Sequence, residues 1–388
     1  MAFDRRTLLR AGAAVGLAAG TGGGVAGVVD LVRAPRATAR TGVAPRIGYL
    51  PITDASPLLV AHAQGRFAAA GIDMARPVLF RGWESLAQAF TVGELDVVHL
   101  LMPFAVQLRY ALGARVRLLA WNHTNGSALT VHPSVREIGD LAGKSVAIPF
   151  WWSIHNVVLQ QMLRAAGLTP VVRTAPSVRE RTVQLVVMSP SDMLPALSTA
   201  TIGGYIVADP FNAAAEINKV GRVLRFVGDA WRDHACCVVV VRQELIDSVP
   251  ETVQAVTDAV AGAQLWLGGH RADAAKVLKD GRYLPQPLPA ITKALDRTPG
   301  PAQHPDWHGE RIGFAPYPFP GYTEALVRAM RETVVDGPTG FLTGIDPAAV
   351  HADLVDDRFV LRSMAALGGP GAFGLPASLT RTEEGNQP

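Results

Sequence analysis

Cysteine is nearly absent from this chain of 388 residues: Cys236 and Cys237 stand side by side, and there is no third. A disulfide framework of the kind that staples small secreted domains is excluded, and so is a metal site built from repeated Cys-x-x-Cys pairs. Net charge is also scarce, at +3. Arg5, Arg6, Arg10, Arg33 and Arg36 against Asp4 and Asp30 supply that excess within residues 1–39, and the remainder balances at 31 basic and 31 acidic side chains. No basic stripe is left to track a phosphate backbone, so nucleic acid is not an expected partner. Beyond the N-terminal region, no apolar run approaches the ~20 residues that a membrane-crossing helix needs. Catalytic signatures are missing too: no G-x-S-x-G, no H-E-x-x-H, no phosphate-binding G-x-x-x-x-G-K-[ST] and no G-x-G-x-x-G after a strand. His304 and His308 are four apart, but Pro305 between them rules out a pair of ligands on one helical face. Neither an enzyme nor a cofactor is expected.

What is present is a well-packed composition, 49% hydrophobic and 18% charged, on a chain long enough for two compact α/β lobes. The N-terminus runs Asp4-Arg5-Arg6-Thr7-Leu8-Leu9-Arg10 into a Gly-diluted apolar stretch from Ala11 to Val29. A twin arginine before a mildly apolar segment reads as a Tat-type export signal over residues 1–39, with Ala37-Thr38-Ala39 as the cleavage site. An uncut leader would instead leave a membrane anchor. The protein is expected outside the cytoplasm, in the periplasm or at the cell-envelope exterior.

After the leader, strand and helix patterns alternate. Apolar runs at Arg46–Leu50, Pro77–Phe80, Val97–Leu101 and Val116–Trp121 predict strands. Helices are predicted over Ser56–Ala70, with Ser56 as N-cap before Pro57, over Trp83–Val92, and from Pro103 to near Gly113. A second unit repeats the rhythm, with strands at Ser145–Pro149, Val183–Met188 and Gly204–Ala208 and helices at Ser153–Ala166 and Ser191–Thr199. The β-α-β rhythm predicts mostly parallel sheets flanked by helices. Cys236–Val241 reads as a further strand, which would point the two thiols to opposite faces. A vicinal disulfide there would be strained. His234 with the two cysteines gives three donors and no fourth of suitable spacing, so no metal site is expected. Then come a helix Pro250–Leu267, a Pro/Gly-rich stretch Tyr283–Pro320, a helix Tyr322–Val335 and a frayed tail from Thr380.

The informative residues stand at the ends of predicted strands. Thr53, Asp54 and Ser56 follow the first strand, Arg81 and Trp83 the second; His99 is in the third, and Asn125, Gly126 and Ser127 follow the fourth. In the second unit Trp151, Trp152, Ser153 and His155 follow one strand and Asp209 another. In open α/β sheets that edge is where ligands bind, and helix N-termini there present free N–H groups and partial positive charge. A small anionic or polar molecule suits such a cleft. Arg81 is the nearby cation suited to a carboxylate or sulfonate, and Asp54 is expected to cap a helix.

Several segments together resemble a known family. Ile47-Gly48-Tyr49-Leu50-Pro51-Ile52-Thr53-Asp54 with Pro57-Leu58, Gly65-Arg66-Phe67 with Gly71-Ile72, Gly93-Glu94-Leu95-Asp96 with His99, Asn125-Gly126, Leu141-Ala142-Gly143-Lys144, Pro149-Phe150 and Ser153-Ile154-His155-Asn156 look like the substrate-binding proteins of nitrate/bicarbonate and taurine/sulfonate ABC importers. The resemblance covers roughly residues 46–280, and Asp209-Pro210-Phe211 falls where that family often has Glu-Pro-Trp. It implies a two-lobed type II periplasmic-binding-protein fold, a small-molecule solute as ligand, and a membrane permease and ATPase as partners of a monomer. The implied organisation is a first lobe over 46–128, a second over 129–238, a return to the first with C-terminal helices over 239–380, and a tail over 381–388, with interlobe connections near Ala128–Val131 and Cys237–Val241. Solute contacts are implied for Thr53, Asp54, Arg81, Trp83, His99, Asn125, Gly126, Ser127, Trp152, Ser153, His155 and Asp209. The sequence departs from the nitrate branch at Ser127, where Gln is usual, and in the bulk of Trp151 and Trp152, which leaves room for a larger organic solute. Two alternatives stay open: a pyrimidine-precursor (thiamine) protein of the same fold, although Val238 follows Cys236-Cys237 where those enzymes continue a Cys-rich motif, and a ligand sensor without transport.

Overall fold

A computed structural model describes residues 44–297 and 310–383; the leader, its cleavage site, His304, His308 and residues 384–388 lie outside the described residues. The chain lays down β1 (Ile47–Tyr49), β2 (Val78–Leu79), β3 (Val97–Leu101) and β4 (Val116–Trp121), then a short β5 (Thr124–Asn125). Next come β6 (Ser127–Val131), β7 (Ser145–Ile148), β8 (Thr169–Val171), β9 (Thr182–Val187), β10 (Gly204–Ala208) and β11 (Arg222–Phe226), and finally β12 (Cys237–Arg242) and β13 (Ile312–Gly313). β3 and β12 are buried along their whole length, as expected of central strands covered on both faces.

The first sheet has the order β2-β1-β3-β12-β4, the second β11-β6-β10-β7-β9-β8, and β13 pairs with β5 beside them. Each large sheet is parallel except for one strand, β12 in the first and β6 in the second. The two exceptions share a cause. They are the strands the chain forms immediately after passing from one sheet to the other. A chain that leaves the C-terminal edge of one parallel sheet and enters the next from its facing edge must run the opposite way. Ser127 therefore begins β6 opposite Ala208, where β10 ends, and Cys237 begins β12 opposite Leu101, where β3 ends. The passages are Asn122–Gly126 and 227–236. The segments Ala128–Val131 and Cys237–Val241, expected as connections, are the ladder strands that follow them, and Ser127 and Ala128 already pair within the second sheet.

Other expectations shift for local reasons. Ser56 is not an N-cap. A 3-10 turn, Thr53–Ala55, precedes it, so Ser56 is already helical and its hydroxyl donates to the Thr53 carbonyl. The helix Ser56–Ala63 stops at Gly65, whose φ is +65°, and a separate turn continues over Arg66–Ala69. The Pro/Gly-rich stretch holds a helix, Leu288–Leu295, that buries Ile291 and Leu295. Its Pro289 lies in the first turn, where the missing N–H costs nothing. Helices Pro347–Leu354 and Arg358–Ala366 complete the C-terminal part. The start of the expected frayed tail is tied down: Arg381 donates to the carbonyls of Arg232 and Asp233, and the Trp231 indole N–H donates to Glu383 at 2.9 Å.

The lobes meet directly. The Thr53 N–H and hydroxyl both donate to the Asp209 carbonyl, at 2.8 and 2.9 Å. Phe104 of the first lobe stacks on Phe150 of the second with ring centres 4.2 Å apart. The C-terminal part holds the second lobe from two sides: Arg297 and Lys293 pair with Glu216, and Gln160 bonds both the carbonyl and the N–H of Val334.

Candidate functional site

Where the two sheets' facing edges meet, six segments deliver a group of fully buried polar side chains. The 3-10 turn after β1 supplies Asp54. The first passage supplies His123, held over Gly126, whose φ is +81° and where any Cβ would stand 3.3 Å from His123 Nδ1. The end of the second passage supplies Cys236, and the first residue of β12 supplies Cys237. Ser127 opens β6, and His155 lies in the first turn of the helix Ile154–Ala165 of the second lobe.

His123 Nε2 donates to Asp54 Oδ2 across 2.9 Å, with both side chains sealed from solvent. Cys237 Sγ lies 3.7 Å from the same oxygen, and the two sulfurs are 3.8 Å apart. Cys236 Sγ is 3.8 Å from His155 Nε2, which is 2.9 Å from the Ser127 hydroxyl. The two thiols do not point to opposite faces. Cys236 precedes the strand, so the pleat does not dictate its direction, and both sulfurs converge on Asp54 and His123. They are free thiols, not a disulfide. Asp54, His123, Cys236 and Cys237 bring ligand atoms within 4.8 Å of one another. His234, which the sequence places close to the cysteines, is anchored through Nδ1 to the Trp231 carbonyl at 2.8 Å.

Burial sets the electrostatics. It pushes the Asp54 carboxyl up to about 7, against the pull of His123. Burial alone would lower His123, but the Asp54 carboxylate and the Cys236 sulfur outweigh it and raise the imidazole to about 10. At neutral pH His123 therefore carries a proton and faces Asp54. Burial, with the His123 charge adding to it, drops His99 to about 3, and His234 falls to about 4, also mainly through burial; both rings are neutral. Burial opposes ionisation of Cys236, but the Cys237 thiol, His155 and His123 bring its thiol well below the ordinary value. Cys237 moves the other way, raised by burial and by the neighbouring Cys236 and Asp54.

Among the expected site residues, Asp54, Ser127 and His155 are in this group. His99 and Trp83 stand beside each other with ring centres 5.8 Å apart; neither His99 nitrogen has a partner, nor does the Trp83 indole N–H. Asp54 pairs with His123 instead of capping a helix. The others do different work. Thr53 and the Asp209 carbonyl tie the lobes, and the Asp209 carboxylate accepts from the Ala213 N–H. Ser153 caps its helix by accepting from the Asn156 N–H at 3.1 Å. Asn125 bonds Asp233 and the Glu310 carbonyl, Gly126 donates to the Arg311 carbonyl, and Trp152 packs edge-on to Phe341. Arg81 is exposed on a separate groove of about 590 Å³ between Leu79, Leu194, Phe211 and Pro287. His123 and the inward cysteines are what sequence reasoning missed; their one signal was position, since each stands at the end of an interlobe passage.

Two α/β lobes, each with one reversed strand, and a polar group between facing strand ends define the type II periplasmic-binding-protein fold. The chain belongs to the NMT1-like family, whose model matches residues 41–279. It is 25% identical over 261 residues to a nitrate/nitrite binding protein of Nostoc sp., covering 61% of this chain and 57% of the relative. It is 25% identical over 264 residues to a bicarbonate transport ATP-binding protein of Synechococcus elongatus, covering 62% of this chain and 38% of the relative. This chain thus spans a little over half, or less, of the length of these relatives. The periplasmic nitrate-binding protein of Synechocystis PCC 6803 superposes with a TM-score of 0.74 at 17% identity, covering 88% of this chain and 93% of that one. No helix among the described residues is long and apolar enough to cross a membrane.

Proposed function

We propose that this protein is the solute-capturing component of an ATP-driven importer, enclosing a small polar or anionic solute between its lobes and handing it to a membrane permease and ATPase. The observation that carries the reading is the set of buried polar atoms without partners at the facing strand ends: both His99 ring nitrogens, the Trp83 indole N–H and His155 Nδ1. Buried polar groups are ordinarily hydrogen-bonded, so a group of them at a ligand edge calls for a polar guest. Two helices begin there, at Trp83 and Ile154, and their N-termini favour an acceptor or negative end. Asp54, His123 and the two cysteines form the floor, where the Asp54 carboxyl and the His123 imidazole pair with each other. The guest that fits best presents an acceptor end to Trp83 and His99 and a neutral or donor end to the floor. The match to nitrate- and bicarbonate-system relatives supports transport over sensing or synthesis.

A thermal-shift screen over nitrate, bicarbonate, taurine, alkyl- and arylsulfonates, small carboxylates and pyrimidines tests this. A true solute at a hundred times its dissociation constant adds about 2.7 kcal/mol. Trp83→Ala and His155→Ala should lose most of that stabilisation. Wild-type affinity in both variants would move the site elsewhere.

A further inference from the structure

We propose that Asp54, His123, Cys236 and Cys237 form a four-ligand site for one thiophilic divalent cation of the Zn²⁺ class, set in the floor where both interlobe passages meet the first lobe. The four side chains are fully buried and their ligand atoms lie within 4.8 Å of one another. Two thiolates bound 2.3 Å from a tetrahedral ion stand about 3.8 Å apart; the sulfurs of Cys236 and Cys237 are 3.8 Å apart. A thiolate and a carboxylate oxygen on the same ion stand about 3.6 Å apart; Cys237 Sγ and Asp54 Oδ2 are 3.7 Å apart. His123 Nε2 and Asp54 Oδ2, at 2.9 Å, need to spread by about 0.5 Å to admit the ion, which is what exchanging the shared proton for a cation does.

The donor chemistry selects the ion. Two thiolates and an imidazole are soft and borderline ligands that favour Zn²⁺ and Co²⁺ over Mg²⁺ or Ca²⁺. Binding displaces the His123 Nε2 proton and any proton on the two thiols or Asp54, and no electron moves. Two thiolates and a carboxylate then carry three negative charges against two on the ion, where without it a burial-averse carboxylate leans on a single imidazolium. Around these four, the Ser127 hydroxyl and His155 Nε2 stand 4.0 and 3.8 Å from Cys236 Sγ, placed as outer hydrogen-bonding partners. Vicinal cysteines chelate one centre here because Cys236 is still in the passage while Cys237 starts the ladder. Asp54 Oδ1 and His123 Nδ1 have no partner, so re-aiming the two side chains gives up only their bond to each other and the contact of the Cys237 N–H with His123 Nε2 at 3.3 Å. The site does not rest on the identity or existence of a transported solute.

The test uses the full chain, reduced and stripped of metal, titrated with Co²⁺ and separately with Zn²⁺. The expected result is one equivalent bound, with thiolate-to-cobalt charge-transfer absorption and the intense visible bands of a tetrahedral ion, both lost on adding Zn²⁺. In His123→Ala, Zn²⁺ affinity should fall by more than the 10–100-fold that loss of an outer partner typically costs, and Cys236→Ser/Cys237→Ser should abolish the charge-transfer band. If these variants do not fold, the wild type alone decides: bound Zn²⁺ should shield both thiols from a thiol-specific reagent under conditions that open the lobes. Weak octahedral cobalt spectra, no uptake, or unchanged spectra in the double serine variant would overturn the site.

Discussion

Replacing His123 by Ala should destabilise the protein by several kcal/mol at pH 5–6.5 and by no more than that at alkaline pH. His123 and Asp54 are both fully buried and 2.9 Å apart. Lifting the imidazole from 6.5 to about 10 corresponds to roughly 5 kcal/mol of preferential proton binding in the folded chain. Breaking a buried pair by removing one partner costs about 3–5 kcal/mol, since the survivor is left uncompensated, and the expected loss below pH 6.5 is of that order. The preference for the His123 proton is present in full at pH 5 and has fallen to roughly 3 kcal/mol by pH 8, as pH climbs toward the folded value of about 10. In the wild type both groups hold their protons more tightly folded than unfolded. Stability therefore falls as pH rises, between 3.8 and about 7 for Asp54 and between 6.5 and about 10 for His123. The assay is urea unfolding of wild type, His123→Ala, Asp54→Asn and the double variant, without metal, at half-unit intervals from pH 5 to 9. Asp54→Asn/His123→Ala should cost less than the two single losses added together. A loss for His123→Ala that grows steadily from pH 5 to pH 9 would refute the raised proton affinity of His123 in the folded chain.

Two further outcomes follow from the leader and the lobes. Changing both Arg5 and Arg6 to Lys should hold the protein in the cytoplasm, read by fractionation; normal export, or export blocked only by inhibiting the Sec route, would show that the twin arginine is not the signal. Small-angle scattering should show an expanded form without solute that contracts on saturation with the solute found by thermal shift; an identical profile in both states would mean that the contacts of Thr53 with Asp209 and of Phe104 with Phe150 are permanent.

The β-α rhythm was legible because strands such as Val97–Leu101 are short runs of branched and apolar residues, and helices such as Trp83–Thr91 carry apolar residues on one face. Strand direction was not. Whether Cys237–Arg242 runs with or against its neighbours depends on which sheet the chain has just left, and no local pattern encodes that. The helix Leu288–Leu295 was hidden by Pro285, Pro287 and Pro289, which read as loop until the last is seen to occupy a first turn. The strand-end rule selected Trp83, His99, Ser127 and His155, all of which the structure buries. It also selected Ser153 and Asn125, whose side chains are used up by a helix cap and a loop. Asp54 and Cys237 lie 183 residues apart in sequence, and only the two passages bring them together. A pair of adjacent cysteines reads as core unless one knows that the strand begins between them.

The fastening of residues 381–383 has a practical consequence. Arg381 grips the carbonyls of Arg232 and Asp233, Glu383 holds the Trp231 indole, and these three partners sit in the very passage that leads to Cys236. A reporter attached beside residue 383 is thus next to a clasp on an interlobe passage. A fluorophore there, paired with one on the outer face of the second lobe, would turn any movement between the lobes into an optical signal, whereas a bulky affinity tag at the same point would load the passage it is meant to leave undisturbed.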